Sequence, residues 1–177
     1  MKRIVAIMAA LLLSLTASYA EEVSIPAMKD GQFVHVRLYT TDSEYFYQYN
    51  NGRFSFHAYV PACMTSALLP TNGDGATFVN YDDAIFFAAG SGYNTLNADT
   101  KWYYDLAVNS IGESSITYSD WGYGWYVVSG VKDGYVHYIK GLVGNSKHSS
   151  IRFKYPYAQK GQYDWMIPVL ESNFYQD

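Results

Sequence analysis

The stretch YGWYVVSGVKDGYVHYIKGLVGNSKHSSIRFKYP, residues 123–156, decides the fold. Tyr123–Val131 and Tyr135–Val143 are two apolar, aromatic runs separated by Lys132-Asp133-Gly134. Asp-Gly supplies the positive φ that a tight hairpin demands, so the runs are paired antiparallel strands. Ser149–Tyr155 follows with period two: Ile151, Phe153 and Tyr155 point inward, Arg152 and Lys154 outward. Pro156 ends it, because proline lacks the donor a ladder needs.

Working outward, Ile116–Ser119 is a short strand before this hairpin, and Ala98–Ile111 is a helix stopped by Gly112. Trp102, Tyr103, Leu106, Ala107 and Ile111 share one face of that helix. Upstream, Phe33–Thr40 alternates Val34, Val36 and Leu38 against His35 and Arg37. Glu44–Tyr49 and Arg53–Val60 flank Asn50-Asn51-Gly52, a second hairpin signal. Thr71–Gly75 is the densest turn in the chain and is followed by strands at Ala76–Val79 and Ala84–Ala89, with a loop over residues 90–97. Residues 21–32 read as a loose lead-in to a single domain over 33–177. After Pro156 the tail 157–174 has the apolar stripe Tyr163, Met166, Ile167, Leu170 and Phe174, with Pro168 predicting a kink or a late start. Hairpin-length connections and two amphipathic helices predict an α+β fold, a central antiparallel sheet flanked by helices.

The N-terminus reads as an export signal. Met1-Lys2-Arg3 is charged, Ile4–Leu15 is apolar, and Ser18-Tyr19-Ala20 sets a cut before Glu21. The apolar run is shorter than the roughly 20 residues of a membrane anchor. The expected location is therefore the periplasm or the extracellular space. The whole chain carries a net charge of −4, and removing Lys2 and Arg3 from its twelve basic residues against sixteen acidic ones takes it to −6. This disfavours nucleic acid and anionic membrane as partners, since both require a basic footprint. No later segment reads as a membrane span. Cys63 is the only cysteine, so no intramolecular disulfide forms, and a buried thiol is expected.

Four segments, in order, resemble a family of bacterial exported proteins of unknown function with a PsbP-like, Ran-binding Mog-type fold. They are Arg53–Pro61 (RFSFHAYVP), Asn72–Phe78 (NGDGATF), Val128–Tyr138 (VSGVKDGYVHY), and Phe153–Pro156 leading to Tyr163-Asp164. The resemblance spans roughly residues 45–174 and implies a layered sandwich, a central antiparallel sheet with flanking helices. Members of that fold class act as extrinsic subunits or protein-binding adaptors, without a shared active site. The matched residues are mostly turn and core types, so the resemblance bears on fold more than on function.

Few residues offer chemistry. Asn72-Gly73-Asp74-Gly75, with Asp82 and Asp83 nearby, has oxygens for Ca²⁺, but its Asx and Gly residues equally suit a tight turn, which is the preferred reading. His35, His57, His137 and His148 lack metal-ligand spacing. A Cys63–His57 nucleophile pair requires convergence in space. No Gly-x-Ser-x-Gly elbow or phosphate-binding glycine loop is present, and nothing in the sequence demands a cofactor. The densest aromatic cluster is Trp121, Tyr123 and Trp125 with Tyr118 and Tyr126. With Tyr123 and Trp125 on one strand face, these rings make a stacking platform for a sugar or a peptide; ordinary cross-strand packing is the competing use. The sequence thus points to a non-catalytic exported binding or adaptor domain for a protein or saccharide of the cell envelope. An envelope hydrolase whose site forms only in three dimensions, and a structural or stress-related envelope protein, are the alternatives.

Overall fold

The computed structural model describes residues 20–177, so the predicted signal segment lies outside the described residues except for Ala20. Twelve strands form one hydrogen-bonded sheet: β1 (Glu22–Lys29), β2 (Gln32–Thr40), β3 (Phe46–Asn51), β4 (Phe56–Pro61), β5 (Ser66–Leu69), β6 (Gly75–Asn80), β7 (Ile85–Tyr93), β8 (Ile116–Gly122), β9 (Trp125–Lys132), β10 (Tyr135–Val143), β11 (Lys147–Pro156) and β12 (Tyr175–Gln176). Their order is β12-β4-β3-β2-β1-β5-β6-β7-β11-β10-β9-β8. The helices are α1 (Thr100–Ile111), α2 (Lys160–Tyr163) and α3 (Met166–Ser172). No helix among the described residues is long and apolar enough to cross a membrane.

The α+β expectation is overturned. Strands hold 53% of the described residues and helices 18%, so the described part is mostly β. Nor is the sheet purely antiparallel, because β1 and β5 pair in parallel through Ala27–Ala67, Met28–Leu68 and Lys29–Leu69. The discrepancy has two sources. Residues 22–29, read as a loose lead-in, are a strand whose Ile25 and Ala27 enter the core. Pro26 obscured it, yet Pro26 sits just before the three residues that meet β5, so its missing donor costs no ladder bond on that side. The tail supplies less helix than its stripe suggested. It opens with a 3₁₀ turn at Tyr157–Gln159 and breaks again between Tyr163 and Met166. Pro168 falls in the first turn of α3, where no intrahelical donor is required.

Two hairpins behave as their sequences direct, with one shift of loop. Asp133 and Gly134 carry φ of 53° and 79° between β9 and β10. In the other, Asn50 and Asn51 remain in the ladder opposite His57 and Phe56, and the reversal falls on residues 52–55. Asn51 Oδ1 holds that loop by accepting from the backbone N–H groups of Arg53 (3.1 Å) and Phe54 (3.0 Å).

The sheet rolls over on itself. Lys147 Nζ on β11 donates to the Phe54 carbonyl (2.6 Å), and Ser149 Oγ donates to Gln176 Oε1 on β12 (2.9 Å). Inside the roll lies the main core, with Leu38, Phe46, Phe56, Phe78, Phe87 and Phe153 nearly inaccessible to water. Tyr163, Met166 and Leu170 from α2 and α3 close it. Tyr155 donates to Asp164 Oδ1 (2.6 Å), tying β11 to the end of α2. A second, smaller core lies on the outer face, where Tyr103, Ala107 and Ile111 of α1 meet Tyr126, Val128 and Ile139. Asp99 caps α1 by accepting from the Trp102 N–H (2.9 Å). Trp102 and Leu106, read as part of the buried stripe, stay exposed because α1 covers only the β8–β10 portion of the sheet.

Candidate functional site

The aromatic cluster lies at the free end of the sheet. β8 pairs with β9 alone and has no neighbour on its other side among the described residues. Tyr123 and Gly124 form the two-residue turn between these strands, with Gly124 at φ 80°. The turn is anchored: the Gly124 N–H donates to Thr100 Oγ1 (3.0 Å), and its carbonyl accepts from the Val143 N–H (2.8 Å). Tyr123 is fully exposed; Tyr118, Trp121 and Trp125 also keep a third or more of their surface in water.

Tyr123 is at the turn tip and does not share a strand face with Trp125. Tyr126 is buried between α1 and the sheet, its ring laid across Gly141 so closely that a Cβ there would lie 2.1 Å from it. The other rings straddle the edge. Trp121 pairs in register with Tyr126 and lies tilted against Tyr104 of α1 (6.2 Å between centroids), while Tyr118 points to the opposite face. Tyr104 and Ser119 share a hydroxyl hydrogen bond (2.9 Å) that fixes α1 against β8. Trp125 folds its indole over Gly122, whose missing side chain leaves the space it fills.

The Asn72-Gly73-Asp74-Gly75 segment is a turn clipped to the β3–β4 loop. Asn51 Nδ2 donates to the Gly73 carbonyl (3.0 Å), Arg53 donates to the Asn72 carbonyl, and Arg53 pairs with Asp74 (3.6 Å). Gly73 has φ 70°, but Gly75 has no positive φ; it is glycine because the Ala89 carbonyl crosses where its Cβ would be. Asp83 is occupied with the side chain of Asn80 (3.0 Å). His57 presents its ring nitrogens to Asn50 (2.7 Å) and Asp177 (3.3 Å), so it is not turned toward Cys63. Burial pushes the Cys63 thiol up from its ordinary pKa.

A feature absent from the sequence reading lies on the outer face beyond α1. A cross-strand row runs Leu68, Thr77, Ala88, Arg152, Ile139 through β5, β6, β7, β11 and β10. α1 covers Ile139 but stops short of Arg152, leaving a trough between α1 and β5. Three adjoining cavities of about 420, 290 and 300 Å³ occupy it, and Arg152 lines all three. Ala88, Gly90 and Ser150 make a shallow floor. Trp102 and Leu106 rise on one side, and Leu68 and Pro70 on the other. His148 stands beside it, its ring tilted against Tyr103 (4.3 Å between centroids), and burial lowers its pKa from the ordinary histidine value.

No protein-family model matches the sequence, and no curated protein matches it. Among solved structures, the fold is similar to the solution structure of cyanobacterial PsbP (CyanoP) from Synechocystis sp. PCC 6803. The TM-score is 0.53 at 9% identity, covering 77% of this chain and 95% of that one. At that identity the likeness is one of fold alone, and it supports the PsbP-like part of the sequence resemblance. The Mog-type part rests on the sequence motifs.

Proposed function

We propose that this protein is an exported, non-catalytic binding domain that receives a polypeptide along the outer edge of β8. One observation carries the reading: among the described residues the seven-residue strand β8 ends the sheet with its outer side unpaired, and Tyr118, Trp121, Tyr123 and Trp125 are exposed around it. Such an edge offers a row of backbone donors and acceptors to an extended segment, and large aromatic side chains are the usual anchors of an interface. Asp120 and the irregular register between Ile116 and Tyr118 blunt the edge against indiscriminate pairing. Export rests on the charged start, the apolar run and the small residues before Glu21.

The test is capture from an envelope extract by the wild type and by a Trp121→Ala/Tyr123→Ala variant, read with a crosslinker placed at residue 120, which is exposed. A polypeptide crosslinked by the wild type and lost in the variant supports the reading. Capture that survives loss of both rings, or a saccharide eluted in place of a polypeptide, overturns it.

A further inference from the structure

We propose that the trough around Arg152 is a binding site for a small organic acid, a carboxylate joined to an apolar acyl or aromatic body. The proposal is independent of the β8 edge. It begins with charge. The whole chain is net negative, yet among the described residues lining the three cavities the charged side chains are Arg152 and Lys154, with Asp74 the only carboxylate. Asp74 sits at the β6 end and is paired with Arg53 (3.6 Å). Lys154 is turned aside, its ammonium 4.1 Å from the Tyr135 ring centroid. Arg152 takes no part in the ion pairs or side-chain hydrogen bonds among the described residues. Its guanidinium therefore keeps its full fork of donors for a carboxylate, which it matches with two parallel N–H···O bonds.

The shape supplies the rest of the ligand. Ala88, Gly90 and Ser150 flank Arg152 with little side-chain volume, so a flat or linear body can lie close to the sheet. Trp102 and Leu106, exposed on α1, form an apolar wall along one side. Cavities of about 300–420 Å³ fall within the range of small-molecule sites. An inorganic anion would use the arginine and leave both walls wet, whereas an uncharged alkyl chain would displace water from the exposed guanidinium and supply no acceptor in its place.

The test is a titration of ¹⁵N-labelled protein with octanoate, octanol, acetate and inorganic phosphate, followed through backbone amides and tryptophan indoles. Octanoate is expected to shift Ala88, Gly90, Arg152 and the Trp102 indole saturably, with the other three at least about tenfold weaker at those positions. Arg152→Gln is expected to weaken octanoate at least about tenfold without lowering the melting temperature, since Arg152 has no partner within the fold. Ala88→Leu, which fills the floor and keeps the charge, is expected to weaken it as well, and it decides the matter should Arg152→Gln fail to fold. The proposal is overturned by shifts that do not saturate or map elsewhere. It is equally overturned by octanol or phosphate binding as well as octanoate, or by variants that bind it unchanged.

Discussion

Replacing Gly75 by alanine should damage the sheet more than the same change at Gly73, two residues earlier in the same turn. A Cβ on Gly75 would sit 2.1 Å from the Ala89 carbonyl oxygen and 2.6 Å from the Gly90 Cα. Both are backbone atoms of β7, a strand paired on both sides, so neither can rotate away. Relief requires parting β6 from β7 at their Gly75–Gly90 end, which strains the bond from the Ser91 N–H to the Asp74 carbonyl (2.9 Å). Overpacking of this kind costs about 1–3 kcal/mol, and a weakened hydrogen bond adds about 0.5–1.5 kcal/mol. A Cβ on Gly73 would find only the Arg53 side chain, at 4.0 Å, so its cost is the left-handed backbone alone, about 1–2 kcal/mol. Asparagine separates the two causes, because it tolerates positive φ but is larger than alanine. Gly73→Asn should recover most of the loss seen in Gly73→Ala, whereas Gly75→Asn should be worse than Gly75→Ala. Urea unfolding followed by tryptophan fluorescence measures all four, each kcal/mol lowering the midpoint by about 0.3–1 M. Equal losses for the two alanine variants, or rescue of Gly75 by asparagine, would refute the close-approach argument.

The two tyrosines on either side of Trp125 should respond in opposite ways: Tyr126→Ala empties the small core beneath α1 and should cost about 3–5 kcal/mol, while Tyr123→Ala should leave the unfolding midpoint unchanged. Asp99→Ala removes the cap on the Trp102 N–H and should cost about 1 kcal/mol, read as a fall in the same midpoint. Burial lowers the pKa of His148, and burial with Lys154 lowers that of His137. The folded chain thus prefers both rings neutral; that stabilisation is complete above about pH 6.5 and is lost as the pH falls below it toward the folded values. The melting temperature should therefore drop between about pH 7 and pH 5, and His148→Gln should flatten part of the drop. Excess Ca²⁺ should leave the melting temperature unchanged, because Asp74 is engaged by Arg53 and Asp83 by Asn80; a calcium-dependent rise would return the Asn72–Gly75 segment to the ligand-loop reading.

What the sequence by itself determined was local. The Lys132-Asp133-Gly134 reversal, the inward Ile151, Phe153 and Tyr155, the α1 positions Tyr103, Ala107 and Ile111, and the positive φ at Gly73 all follow from dihedral preference and periodicity over a few residues. The tertiary structure alone decided which outward residues meet water. Arg152 reads as an outward residue of its strand, whereas Trp102 and Leu106 read as part of the buried α1 stripe and stay exposed. That they converge on one trough depends on α1 stopping over β10, some 40 residues from Arg152 in sequence. The parallel pairing of β1 with β5 was equally hidden, because three further strands, β2, β3 and β4, lie between the partners in sequence. The same holds for Gly75, whose glycine is required by a carbonyl fourteen residues away and not by its own φ. Periodicity records which side of a strand is apolar. It carries no record of how far a covering helix extends across the sheet, and on this protein that extent separates the buried Tyr126 from the open Arg152.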